Sequence, residues 1–203
     1  MLRMACLCFV LSCFFLSSVY GETVRFRLDA TNTDGDVVNS VNIGDTFFLN
    51  AYAEDLGPDP VDGVFAAYMD VLIEPPIVSV AAAVEAGMLY QNGTIKGEVS
   101  PGLLDNFGGF STGLEPVGAG EMLIFRQEMQ ADAGGQIVFS SAFANESPSF
   151  DVLRFGSSVP VLAEDIEFGS LTLQIAEVPE PSGGSLFCLG GLALMVSRRR
   201  RAS

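Results

Sequence analysis

The chain of 203 residues carries 25 acidic and 10 basic side chains, no histidine and no tryptophan, and a formal charge of -15. Without histidine, Ser-His-Asp and Cys-His catalysis are excluded, as are histidine-ligated zinc and iron centres. The carboxylate surplus also argues against nucleic acid and anionic membrane as ligands, since phosphate binding needs clustered Lys and Arg.

Residues 1–21 open with Arg3, continue through an apolar run from Ala5 to Leu16, and leave through Ser17, Ser18 and Val19-Tyr20-Gly21. A basic start, a short apolar centre and small residues at the exit predict a secretory signal peptide cut after Gly21. The run is shorter than the roughly 20 apolar residues that span a bilayer, which disfavours a permanent anchor. It also continues through Phe14, Phe15 and Leu16 beyond Cys13, which disfavours acylation of that cysteine.

Between the two ends, residues 22–177 hold 24 acidic side chains against five basic ones (Arg25, Arg27, Lys96, Arg126 and Arg154), a net charge of -19. All four cysteines, Cys6, Cys8, Cys13 and Cys188, lie outside this stretch, so an exported domain formed by it has no disulfide. About 150 residues bury enough surface to manage without one, and the length fits one domain with one core.

Period-two patterning then runs along the chain. Val24, Phe26 and Leu28 alternate with Arg25 and Arg27; Phe65, Ala67, Met69, Val71 and Ile73 share one side of a strand and Tyr68 and Asp70 the other; Ile137, Phe139, Ser141 and Phe143 alternate, as do Leu171, Leu173 and Ile175. These read as strands with one buried face. DTFFLNAYA, PIVSVAAAV, EMLIFRQEMQ and FDVLRF add further strands, with turn signals at Asp34-Gly35, 42–45, Asp62-Gly63, Asn92-Gly93, Gly108-Gly109 and Gly134-Gly135. A helical turn or two over 81–90 stays open. Many short strands with Gly and Pro turns, and no long helical period, predict an all-β fold: a single antiparallel β-sandwich, with a barrel as the alternative.

Candidate chemistry is sparse. Carboxylate pairs such as Glu54-Asp55 and Glu164-Asp165 satisfy the residue types of glycoside hydrolysis, but 24 acids in 156 residues produce such pairs by chance. The expectation is no enzyme. Asn32-Thr33-Asp34-Gly35-Asp36 spaces oxygen ligands like half of a calcium loop, yet the first and twelfth loop positions fall on Ala30 and Val41, which favours a hairpin turn. Over residues 53–63, Glu54, Asp55, Asp59 and Asp62 cluster with two prolines between strands, so their oxygens are candidates for calcium; a solvated acidic loop is the alternative. Phe26, Phe47, Phe65, Phe125, Phe139 and Phe168 sit in strand patterns and read as core rather than as sugar platforms. Asn92-Gly93-Thr94 and Asn145-Glu146-Ser147 match glycosylation sequons, and both also read as turns.

Residues 41–80, VNIGDTFFLNAYAEDLGPDPVDGVFAAYMDVLIEPPIVSV, resemble the opening strands of cohesin-type domains, and residues 149–175, SFDVLRFGSSVPVLAEDIEFGSLTLQI, resemble their closing strands. The resemblance implies a jelly-roll-like, cohesin-like sandwich related to carbohydrate-binding modules. Glu74-Pro75-Pro76 replaces the family's usual Asp-Pro after the second strand, so no dockerin contact carries over.

The last 26 residues, 178–203, resemble a PEP-CTERM sorting signal: Pro179-Glu180-Pro181, an apolar stretch over 186–196, and Arg198, Arg199, Arg200 and Arg201. The prolines keep the approach extended, and the eleven apolar residues with Gly190 and Gly191 are marginal for spanning while the arginines stay cytoplasmic. The resemblance implies transient membrane insertion, an exosortase-like processing enzyme as partner, and discharge to a bacterial cell surface or matrix. A lasting tail anchor is the alternative. The resulting expectation is an exported, non-enzymatic structural or adhesive protein that meets extracellular polysaccharide or other envelope proteins. A carbohydrate-binding module is the second reading and a glycan-active enzyme the third.

Overall fold

A strand that buries every second side chain must lay that face on another layer, and this requirement decides the architecture. The computed structural model describes residues 24–57, 63–92, 97–111, 113, 118, 120–144 and 152–177. Among them are thirteen strands: β1 (Val24–Thr31), β2 (Ser40–Asn42), β3 (Thr46–Asp55), β4 (Val64–Glu74), β5 (Val78–Val80), β6 (Glu85–Ala86), β7 (Glu98–Ser100), β8 (Leu103–Phe110), β9 (Glu121–Ala131), β10 (Gly135–Phe143), β11 (Val152–Arg154), β12 (Ile166–Glu167) and β13 (Ser170–Ala176). The described helical structure is one 3-10 turn, Ala163–Asp165, and no described helix is long and apolar enough to cross a membrane.

The strands form two sheets. The first runs β12-β1-β3-β9-β5, with β6 also on β9; the second runs β2-β13-β10-β4-β8-β7, with β11 also on β4. In the first sheet, Val24, Phe26, Leu28, Ala30, Phe47, Leu49, Ala51 and Ala53 are buried. Opposite Ala51 and Tyr52, β9 carries a bulge that inserts Ile124, and both Ile124 and Phe125 turn into the core. The second sheet contributes Ala67, Met69, Val71, Ile73, Ile137, Phe139, Leu173 and Ile175. Two edge-on ring pairs join the layers: Phe47 meets Phe139 with centroids 6.2 Å apart, and Phe107 meets Phe125 at 5.5 Å.

The sandwich is as expected, but its seam is not purely antiparallel. β1 pairs parallel with β12, and β13 pairs parallel with β2 while running antiparallel to β10. The chain thus passes from the first sheet to the second between β1 and β2, and again between β12 and β13. Gly169 sits at this last crossing, where a Cβ would collide with the carbonyl oxygen of Phe26, so no larger residue fits that approach.

One open point is resolved and one expectation corrected. Residues 81–90, left open for a helical turn, carry β6, which pairs with β9. Gly108-Gly109 is not a turn but lies inside β8, because a Cβ at Gly108 would run into the Ala67 carbonyl oxygen and one at Gly109 would fall 2.7 Å from that of Tyr90.

Truncating either ring of the Phe47–Phe139 pair to alanine is expected to cost about 3 to 5 kcal/mol, and the double mutant to recover about 1 kcal/mol of the summed losses. Urea unfolding of the four proteins measures both quantities.

Candidate interaction face

The two outward faces of the sandwich have opposite characters. On the first sheet, Arg25 pairs with Glu54 at 3.2 Å and Glu167 at 2.6 Å. Arg27 pairs with Asp29 at 2.8 Å through Nη1, donates to both carboxylate oxygens of Glu121 through Nε and Nη2, and lies 4.2 Å from the centre of the Tyr52 ring. Arg126 stacks on Phe48 at 3.6 Å, and Asn50, almost fully buried, donates to Asp29 at 2.8 Å and to Thr31 at 3.2 Å. Arg25, Arg27 and the four acids they hold are matched within the face, while the Arg126 Nε finds no hydrogen-bond partner among the described residues.

The expected acidic site divides along this strand. Glu54 and Asp55 end β3 on opposite sides of it, and Asp59 and Asp62 lie outside the described residues. Glu54 faces Arg25. The Asp55 side chain is fully buried, its Oδ2 accepting from Arg154 Nε at 3.0 Å and its Oδ1 from the Gly57 backbone N–H at 2.9 Å. A cation reaching these two acids would have to displace both arginines. Among the described residues no group of three or more His, Cys, Asp or Glu side chains is placed to hold a metal ion. The stretch from Asn32 to Asp36 is a hairpin turn in which the Asn32 side chain accepts from the N–H groups of Asp34 and Asp36 at 3.0 and 2.8 Å. Gly21, Pro179, Glu180, Pro181 and Arg198 to Arg201 all lie outside the described residues.

The outward face of the second sheet is where sequence reasoning placed nothing. Ser170, Ser140, Leu72, Leu103 and Ser100 stand in register across five strands, with Thr172, Val138 and Glu74 in the next row. Leu72 is 42% exposed although its neighbours Val71 and Ile73 are buried, because alternation turns it outward. Along β13, β10 and β4 the outward positions carry one exposed charge, Glu74; Asp70 is buried, with Oδ1 accepting from the Asn106 N–H at 2.9 Å. At the β7–β8 edge, Glu98 stands opposite Asp105 in register, and neither has an ion-pair partner among the described residues. The signal for this face lay within the VFAAYMDVLI alternation, whose outward side runs on from Tyr68 and Asp70 to Leu72 and Glu74.

No family model matches the chain, and no curated protein matches it. Solved structures do. A chain from the crystal structure of a CaDoc0917–CaCohA2 complex, CaCohA2 being from Clostridium acetobutylicum, aligns with a TM-score of 0.52 at 13% identity, covering 76% of this chain and 100% of that one. A cohesin module from a Clostridium perfringens family 33 glycoside hydrolase aligns at 0.49 and 14% identity, covering 77% of this chain and 99% of that one. A type III cohesin module from a Ruminococcus flavefaciens cell-surface anchoring scaffoldin aligns at 0.48 and 13%, covering 76% and 89%. The fold is a cohesin-like β-sandwich.

The buried polar groups beside these faces set two measurable outcomes. Asp55→Asn should lower stability by about 2 to 3 kcal/mol in urea unfolding, since it removes the charge of the buried carboxylate to which Arg154 donates. Tyr90 is fully buried and its hydroxyl donates to the Val64 carbonyl at 2.6 Å; burial pushes its pKa up, as desolvation also does for Tyr52 and Tyr68. A raised folded-state pKa gives stability that is complete below the unfolded value near 10 and is lost as pH rises above it, by up to about 1.4 kcal/mol per pH unit for Tyr90. Tyr90→Phe should flatten that alkaline slope in unfolding titrations above pH 10, while costing about 1 kcal/mol at neutral pH.

Proposed function

We propose that this chain is an exported, non-enzymatic display and adhesion module that docks a partner protein on the outward face of its second sheet. The observation that carries the reading is the uncharged centre of that face, with Leu72 exposed among hydroxyl side chains, in a segment whose net charge is -19. Protein interfaces deplete charge at the centre and keep it at the rim, and here the rim is Glu74, Glu98 and Asp105. The complementary partner brings an apolar centre and basic residues. Sharing a fold with a chain solved in the CaDoc0917–CaCohA2 complex supports a docking role over a catalytic one.

The two end segments supply the address. Residues 1–21 direct export and are removed after Gly21; residues 186–196 enter the membrane transiently with Arg198 to Arg201 inside; and an exosortase-type enzyme reads Pro179-Glu180-Pro181, leaving the domain at the surface or in the matrix of a bacterium. A second reading, binding of extracellular polysaccharide, is favoured by the hydroxyls and amides of Ser140, Ser170, Thr172, Gln136 and Gln174 on the same face.

Leu72→Glu decides between them. Mature protein immobilised on a sensor should capture basic envelope proteins, and the substitution should weaken capture at least tenfold, about 1.4 kcal/mol, with the melting temperature unchanged. Capture that survives the substitution removes docking at this face. Glycan-array binding without protein capture favours the polysaccharide reading.

A further inference from the structure

One long side of the sandwich is closed along only part of its length. Past β6, the Gly87 N–H donates to the Ile124 carbonyl of the first sheet at 2.7 Å, Tyr90 is fully buried, and the Phe110 N–H of the second sheet donates to the Asn92 carbonyl at 3.1 Å. Residues 87–92 thus carry the chain from one sheet to the other over that end of the core. At the other end, β5 and β7 border an open groove of about 360 Å³ lined by Ile73, Val78, Val80, Val99, Leu104 and Met129. Among the described residues β5 pairs only with β9 and β7 only with β8, so each presents a free edge of backbone. The two sides of the β7 edge differ in character. Val99 stands opposite buried Leu104 and so faces inward, yet it is 52% exposed because the groove lies beneath it. Glu98 points the other way, in register with Asp105, and neither carboxylate has an ion-pair partner among the described residues. Asp132 adds a third carboxylate at the groove, its Oδ1 accepting from the Ser79 hydroxyl at 3.1 Å.

We infer that β7 accepts an added strand: an extended segment of a partner protein in which apolar and basic residues alternate. Its backbone continues the sheet at the β7 edge. An apolar side chain opposite Val99 enters the groove, and the adjacent residue, opposite Glu98, brings a lysine or arginine to the Glu98–Asp105 pair. Charge selects the occupant. A second copy would pair β7 with β7, a strand of Glu98, Val99 and Ser100 that supplies no cation to those acids, and would set two domains of net charge -19 edge to edge. A basic segment instead relieves the like-charge pair that the second sheet holds in register. The edge adjoins the Leu72 face without depending on it, since Leu72 and Val99 point to opposite sides of the same sheet.

The probe is a short peptide of alternating lysine and valine, capped at both ends, and the readout is hydrogen exchange of the full-length protein followed by mass spectrometry. The peptide should slow exchange along the β7 backbone, and a peptide of the same composition with its lysines and valines segregated into two halves should not. Val99→Lys, which turns a charge inward at the edge, should weaken peptide binding at least tenfold with an unchanged melting temperature. Glu98→Lys should do the same from the solvent side, and it carries the decision alone if the inward charge unfolds the domain. Leu72→Glu should leave peptide binding as it is, so that failure of docking at the outward face and failure of strand addition are told apart. No slowing at β7, equal slowing by the segregated peptide, or binding that survives Glu98→Lys overturns the inference. A dimer whose β7 amides are protected without peptide overturns it as well, giving the edge to a second copy.

Discussion

Face-to-face burial of two sheets is the only large cohesive force available to this domain. Residues 22–177 contain no cysteine and carry a net charge of -19, so there is no covalent staple and the long-range electrostatics oppose compaction. What opposes them is apolar contact between layers, concentrated where Phe47 meets Phe139 and Phe107 meets Phe125. Edge-to-face rings gain beyond their buried area and fix how the sheets sit on each other, which in turn decides which side chains face outward. The character of each outward face descends from that register.

The repulsion is managed by placement. Of the basic residues described, Arg25 and Arg27 on the first sheet draw Asp29, Glu54, Glu121 and Glu167 into a matched lattice beside Tyr52, while Arg126 on the same sheet stacks on Phe48. Individually such half-exposed pairs contribute little, but together they take carboxylates out of mutual opposition. The cost is that few cations remain elsewhere. The second sheet answers by carrying almost no charge at its centre, and Glu98 and Asp105 are left facing each other at its edge. Like charges in register destabilise a strand pair, so this edge retains a disadvantage that a basic partner would relieve.

Alternation made most of the fold legible, because burial of one strand face writes itself into every second residue: Val24, Phe26 and Leu28, or Leu173 and Ile175, need no other information. What stayed hidden depends on residues far apart in the chain. Gly108-Gly109 reads locally as a turn, and only the carbonyls of Ala67 and Tyr90 pressing on it show why a strand needs glycine there; with that misread, Phe107 drops out of the expected core. Asp55 looked like a candidate calcium ligand because its partner, Arg154, lies 99 positions away. The parallel seam was invisible for the same reason, since parallel pairing leaves no short hairpin to announce it. The Leu72 face is a different case. Its residues were in the pattern, but the outward half of an alternation is normally ignored as solvent-facing, and its neutrality stands out only when measured against the charge of the rest.

The seam also explains how the last described strand is held. By splitting into β12 and β13, the last strand closes both sheets, meeting β1 in one and both β2 and β10 in the other. Its final buried side chain among the described residues, Ile175, comes two residues before the last of them, Glu177. Loss of anything beyond that point removes no core contact and no sheet partner described here. A sandwich that ended in a loosely paired edge strand would not have this property, because shortening its tail would expose the neighbouring strand and the apolar surface beneath it. The double pairing of β13 thus holds the last described strand inside its sheet and keeps the register that sets the outward face.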